Sequence, residues 1–277
     1  MPVQQIPLLI PVSQPHVEVA MLSHRGLVRA NNEDRFQVSH FIRADTHQPV
    51  LLAVLADGVG GHLGGEIAAQ TGVEALTEAV SSCRSLDDPA AVIRDAILAA
   101  NQAVLARAAA DKKVSGMGAT CACALLVGDR LYIGNLGDSR AYLADGGNFS
   151  QLTHDHTWLE ENGDLDLPGL RGLGRRHPFA HVLTRYLGSS EPPDVDLRLR
   201  LMEDDGGAEN RSNQGIHLQP GQQVLLCSDG LSDMLSDEDI HAILLEHAPR
   251  KAVQKLVLCA LEKGGHDNVS VILLRMP

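Results

Sequence analysis

Seven consecutive apolar residues, Val50-Leu-Leu-Ala-Val-Leu-Ala56, run without a break into Asp57-Gly58. A strand with one face in water alternates apolar and polar side chains, so an unbroken run of this length marks a fully buried strand. Val224-Leu-Leu-Cys-Ser228 repeats the pattern and ends in Asp229-Gly230. Around these two lie further strand-like runs at Glu18–Ser23, Arg35–Phe41, Ala119–Val127, Leu131–Leu136, Ala141–Ala144, Val195–Leu201 and Val269–Leu274. Gly128-Asp129 and Asp145-Gly146-Gly147 are turn signals short enough to imply antiparallel pairing.

Two long helical patterns interrupt the strands, at Glu66–Ser81 and Pro89–Ala110. In the second, Ile93, Ile97, Ala100, Val104 and Ala108 recur at helical spacing, so one face must pack on a sheet. Ser236-Asp-Glu-Asp239 reads as a capping sequence, Pro249 as a helix start and Gly264-Gly265 as its end. The expected class is therefore α+β, with helices packed outside a sandwich of two antiparallel sheets. No linker divides the chain, which predicts a single domain over 17–277 preceded by a short N-terminal arm, 1–16. That opening segment lacks a positive region and is cut by Pro7 and Pro11, so it is expected to be neither a signal peptide nor a membrane span.

Composition narrows the function classes. With 23 basic and 35 acidic residues the net charge is −12, and aromatics are 3%, which argues against a nucleic-acid surface built on basic charge and base stacking. The same acidity argues against docking on anionic lipid. The cysteines Cys83, Cys121, Cys123, Cys227 and Cys259 are odd in number and contain no CxxC pair. Reduced thiols in a cytoplasmic protein are expected.

The aspartates carry the chemistry. Asp57 and Asp229 end buried strands, Asp138 follows Leu131–Leu136, and Asp267 stands just before Val269–Leu274. Each alone reads as a turn residue, as Asp145 does. After Asp57 and Asp229, however, the chain continues towards helices instead of returning as a strand. Carboxylates converging at the edge of an apolar core repel one another and resist desolvation, so they require a counter-charge. All-oxygen ligation suits magnesium or manganese over zinc or copper. Gly58, without a side chain, allows a backbone carbonyl to approach such an ion. The glycines of Gly58-Val-Gly-Gly-His-Leu-Gly-Gly65 could alternatively cradle phosphate, although the run lacks the Gly-Lys-Ser/Thr ending and the GxGxxG spacing.

Eight segments in order bear a family resemblance: Gly26-Leu-Val-Arg-Ala-Asn-Asn-Glu-Asp-Arg-Phe36, Ala56-Asp-Gly-Val-Gly-Gly-His62 with Gly65-Glu66, Gly116-Met-Gly-Ala-Thr120, Gly134-Asn-Leu-Gly-Asp-Ser-Arg140, Leu152-Thr-His-Asp-His156, Leu183-Thr-Arg-Tyr-Leu-Gly188, Cys227-Ser-Asp-Gly-Leu-Ser-Asp233 and Gly264-Gly-His-Asp-Asn268. The chain resembles the metal-dependent protein phosphatases of type 2C in their compact bacterial form. The resemblance implies a four-layer αββα sandwich and hydrolysis of phosphoserine and phosphothreonine in proteins by a water bridging two metals. It further implies that Asp57 bridges both ions, that the Gly58 carbonyl binds the second, and that Asp229 and Asp267 hold the first. Asp138, with Asp229, matches a third-metal site of bacterial relatives. The cofactors implied are thus two Mn²⁺ or Mg²⁺ ions, with room for a third.

Arg29 corresponds to the family's phosphate-binding arginine; its alternative is a surface pair with Glu33, four residues on. Glu33 and Asp34 are expected to hydrogen-bond metal-bound waters, and Asn268 to orient its neighbour. The implied partners are phosphorylated proteins made by a Ser/Thr kinase, met by a monomer. A non-catalytic regulatory member, or a phosphatase of small esters, is the competing reading. Eukaryotic members place a histidine, often proposed as general acid, where this chain has Val59. His62 either acts in that loop or is structural. Asp155–Val182 falls where the family carries a flap; its Arg171, Arg175, Arg176 and His177 either attract acidic phosphopeptides or form a solvated face. Met202–Gly215 is a polar insertion longer than compact relatives usually have.

Overall fold

The computed structural model describes residues 7–59, 63–162, 179, 181–200 and 215–277. One sheet contains, in spatial order, β1 (Leu9–Pro11), β3 (Arg35–Arg43), β4 (Pro49–Ala56), β7 (Cys121–Val127), β8 (Arg130–Leu136) and β11 (Ile216–His217). The other contains β10 (Asn148–Gln151), β9 (Arg140–Asp145), β12 (Gln223–Cys227), β13 (Val269–Arg275) and β2 (Glu18–His24). A two-stranded pair, β5 (Gly58–Val59) with β6 (Gly118–Ala119), sits beside them, and every pairing is antiparallel.

The apolar run at β4 is explained by its place in the layers. Val50, Leu52, Val54 and Ala56 face a core shared with α1 (Leu63–Ser81) and α2 (Pro89–Ala110). The alternate residues Leu51, Ala53 and Leu55 face a second core between the sheets, against Val224 and Leu226 of β12 and Ile272 and Leu274 of β13. All seven residues from Val50 to Ala56 are at most 1% exposed. The other face of β12 and β13 presents Leu225, Cys227, Val271 and Leu273 to a third core, closed by α5 (Asp237–Glu246) and α6 (Pro249–Glu262); two short helices, α3 (Trp158–Asn162) and α4 (Asp229–Ser232), precede them in the chain. Three cores between four layers make the expected αββα sandwich. Truncating Leu52 to alanine would cost about 2–5 kcal/mol, the range for a fully buried leucine.

Local signals set the helix ends. The Asp88 carboxylate accepts the Ala91 amide at 3.0 Å ahead of Pro89, and Ser236 Oγ accepts the Asp239 amide at 3.2 Å. Gly265 has φ +51°, and its amide donates to the Ala260 carbonyl, closing α6.

Three expectations differ from the structure. The strand expected at Val195–Leu201 is reduced to a single bridge between Asp196 and Asn135. The Arg198 amide and guanidinium both bind the Asp196 carboxylate, so a side chain takes the backbone group a ladder would use; Leu201 lies outside the described residues. The strand expected at Ala119–Val127 breaks at Thr120, with Ala119 pairing to Gly58 and Cys121 onward to β4 and β8. Within the segment expected as an arm, Leu9–Pro11 pairs with β3 as an edge strand, where Pro11 has no ladder bond to lose. Among the described residues no helix is long and apolar enough to cross a membrane.

Candidate metal centre

Strand ends from both sheets meet at one edge of the sandwich. Asp57 leaves β4, Asp138 leaves β8, Asp229 leaves β12 and opens α4 (Asp229–Ser232), and Asp267 precedes β13. All four line a cavity of about 590 Å³, together with Arg29, Glu33, Gly58, Thr120 and Asn268. Residues 238 positions apart in the chain are thereby brought into contact: Arg29 Nη2 lies 2.6 Å from Asp267 Oδ2.

Hydrogen bonds hold the turns that carry Asp57 and Asp138. The Asp57 amide donates to Thr120 Oγ1 and the Thr120 amide to the Asp57 carbonyl, both at 2.8 Å. Thr120 Oγ1 also lies 2.7 Å from Ser139 Oγ, tying the Asp57 turn to the Asp138 loop. The Gly137 amide, beside Asp138, donates to His156 Nδ1 at 3.1 Å. Gly58 packs so closely on the Gly65 backbone that a Cβ would overlap the Gly65 carbonyl, so glycine is needed there for close approach.

Arg29 is carried on a loop docked against 264–268. Gly26 adopts φ +78°, the Leu27 amide donates to the Gly265 carbonyl at 2.8 Å, and Asn268 clamps the loop with its side chain. Asn268 Nδ2 donates to the carbonyls of Arg25 and Asn31, each at 2.9 Å, while Oδ1 accepts the Glu33 amide at 2.7 Å. The Asn268 amide donates to Asp267 Oδ1 at 2.8 Å, so its backbone orients the neighbouring carboxylate and its side chain does different work. Asp34 does not line the cavity. It lies 2% exposed beneath the wall and accepts from Ser228 Oγ at 2.8 Å.

The electrostatics of this cluster call for positive charge. Burial, then the Asp34, Asp229, Asp138 and Asp267 carboxylates, push the Asp57 carboxyl well above its ordinary range. Burial and the charge of Asp138 do the same to Asp229. Asp138 is pushed up to about 6 by burial and then by Asp155, and Asp34 to about 6 mainly by burial. Two buried carboxylate oxygens, Asp34 Oδ1 and Asp229 Oδ1, have no hydrogen-bond partner. Like charges gathered out of water with unpartnered oxygens are the environment that a hard divalent cation neutralises, so the residues present fit such ions.

Arg29, Glu33, Asp57, Gly58, Asp138, Asp229 and Asp267 line one cavity, and Asp34 does not. His62, Arg171, Arg175, Arg176, His177 and most of the insertion 202–215 lie outside the described residues. Sequence reasoning gave no role to Thr120, Ser139, Ser228 or His181. The hydroxyls carry no signal of their own, because their partners are 19 to 194 residues away. His181, on the cavity wall, is an isolated histidine in a loop sequence.

A buried acidic cleft at the edge of two stacked antiparallel sheets defines a divalent-metal centre. The chain belongs to the protein phosphatase 2C family, whose model matches residues 24–262. It is 33% identical over 257 residues to the serine/threonine protein phosphatase PstP of Mycobacterium tuberculosis, covering 92% of this chain but only 44% of that protein's length. It is 28% identical over 257 residues to the serine/threonine phosphatase Stp of Listeria welshimeri, covering 90% of this chain and 92% of that one. The catalytic domain of PstP in complex with two manganese ions superposes with a TM-score of 0.71 at 33% identity, covering 94% of this chain and 97% of that one.

Proposed function

We propose that this chain hydrolyses phosphoserine and phosphothreonine in proteins with Mn²⁺ or Mg²⁺, reversing the action of a Ser/Thr kinase. The observation that carries the reading is the convergence of Asp57, Asp138, Asp229 and Asp267 on one cavity that also contains an arginine. Asp57, the Gly58 carbonyl, Asp229 and Asp267 would hold two core ions, and Asp138 with Asp229 a third. Bound there, the cations offset the carboxylate charge, acidify a water and polarise the phosphoryl group for in-line attack.

The chain's own residues bind and orient. The Arg29 guanidinium, 56% exposed at the mouth, offers a planar fork to two phosphoryl oxygens while its contact with Asp267 fixes its reach. Glu33, on the cavity wall, would accept hydrogen bonds from water ordered around the ions, whereas Asp34 lies beneath the wall and accepts from Ser228 instead. Asn268 and Thr120 hold the loops that carry Arg29 and Asp57. Val59 is aliphatic and donates no proton to the leaving oxygen, and a mechanism of this kind needs no protein nucleophile. The five free thiols suit a reducing cytoplasm, and a monomer is sufficient for the site.

The test is phosphate release from a phosphothreonine peptide. Turnover is expected only with added manganese or magnesium, and to exceed that of free phosphorylated metabolites. Full activity in excess chelator would end the reading, and preference for the metabolites would move the substrate class to small esters.

A further inference from the structure

We infer that His181 supplies a nitrogen donor to the cation held by Asp138 and Asp229, making that site selective for manganese over magnesium. The inference rests on the metal-dependent reading above and goes beyond the two aspartates that the family resemblance implies.

One ligand atom from each of Asp138, His181 and Asp229 lies within 4.8 Å of the other two. Donors bound to one ion at about 2.1 Å stand no more than about 4.2 Å apart, so closure requires adjustment of less than an ångström. Independently of that clustering, Asp229 Oδ1 is buried without a hydrogen-bond partner, an oxygen that has lost water without replacing it, and Asp138 beside it is only 9% exposed. His181 lines the same cavity as both aspartates. Its Nδ1 lies 3.7 Å from Asp233 Oδ2, longer than a hydrogen bond but within ion-pair range.

The backbone that follows His181 is tied down. The Val182 carbonyl accepts the Trp158 amide at 2.8 Å, Leu183 bridges Thr157, and the Thr184 amide donates to the His156 carbonyl at 2.9 Å. His156 in turn binds the Gly137 amide next to Asp138. The backbone that follows the histidine and the backbone that precedes the aspartate are therefore tied to one short network.

Ligand chemistry gives the site its selectivity. Asp57, Gly58, Asp229 and Asp267 offer only oxygen, which serves either ion. An imidazole among the donors favours a transition ion such as manganese over magnesium, which prefers oxygen ligands and sheds water reluctantly.

The experiment is a Mn²⁺ titration of the full chain followed by pulsed electron paramagnetic resonance. In the wild type, the weakest-bound ion should show nitrogen coupling from a directly ligating imidazole, and excess Mg²⁺ should displace it least. His181→Ala should abolish that coupling and, like His181→Gln, weaken the last ion by about tenfold, with the two tighter ions unchanged. Because His181 is exposed at the cavity lip, unaltered thermal unfolding of the metal-free variants serves as the folding control. Nitrogen coupling that is absent from the saturated wild type, or that persists in His181→Ala, would overturn the inference while leaving the phosphatase reading intact. Failure of any Mn²⁺ to bind would overturn both.

Discussion

Thr120 grips the backbone of Asp57 in both directions, its amide donating to the Asp57 carbonyl and its hydroxyl accepting the Asp57 amide, each at 2.8 Å. The same hydroxyl reaches Ser139 Oγ at 2.7 Å, so one side chain fixes two of the acidic turns relative to each other. Thr120→Val keeps the shape but leaves the Asp57 amide without its acceptor. The expected cost is about 1–3 kcal/mol in urea unfolding, with weaker manganese binding by calorimetry. Thr120→Ser should restore most of both, and a Val variant matching the wild type in both would remove Thr120 from the account.

Arg29 is more than half exposed, so its ion pair with Asp267 contributes at most about 1 kcal/mol to stability. Arg29→Ala should therefore unfold at nearly the wild-type denaturant midpoint while KM for a phosphopeptide rises and kcat changes less. An unchanged KM would assign the phosphate contact to another group.

Asn268 makes three side-chain hydrogen bonds to the loop bearing Arg29. Replacing it by alanine strands two carbonyls and one amide at once, with an expected loss of about 2–4 kcal/mol, a larger effect than that of Arg29→Ala. If both variants have the same denaturation midpoint, the loop is not held in this way.

The carboxylates destabilise the fold that positions them. Burial and its neighbours hold the Asp57 carboxyl well above the ordinary range, so its ionised form is penalised in metal-free protein near neutral pH. Asp57→Asn removes that charge without changing shape. In chelator the variant should melt higher than wild type, by about 2–4 °C for each kcal/mol relieved. Added manganese should raise the melting temperature of the wild type more than that of the variant. A variant that melts lower in chelator would contradict the electrostatic argument.

The layers were legible in the sequence because β4 is buried on both faces, and only an uninterrupted apolar run satisfies that position. The four aspartates were legible for a related reason: charge directly after such a run is costly unless something compensates for it. What holds them was not. Thr120 and Ser228 act through partners 63 and 194 positions away, and a hydroxyl in an apolar strand end gives no local sign of such a role. The strand expected at Val195–Leu201 failed because apolar alternation cannot register that the Asp196 carboxylate binds the Arg198 amide. The edge pairing of Leu9–Pro11 was hidden by a proline that reads as a breaker yet is tolerated at an edge.

The most direct test is an anomalous-scattering map from crystals grown with manganese. The account predicts two strong peaks within bonding distance of Asp57, with Asp229 and Asp267 on one of them, and a weaker third beside Asp138. A map with no peak in this cavity, from crystals of protein that hydrolyses phosphothreonine peptide, would contradict it.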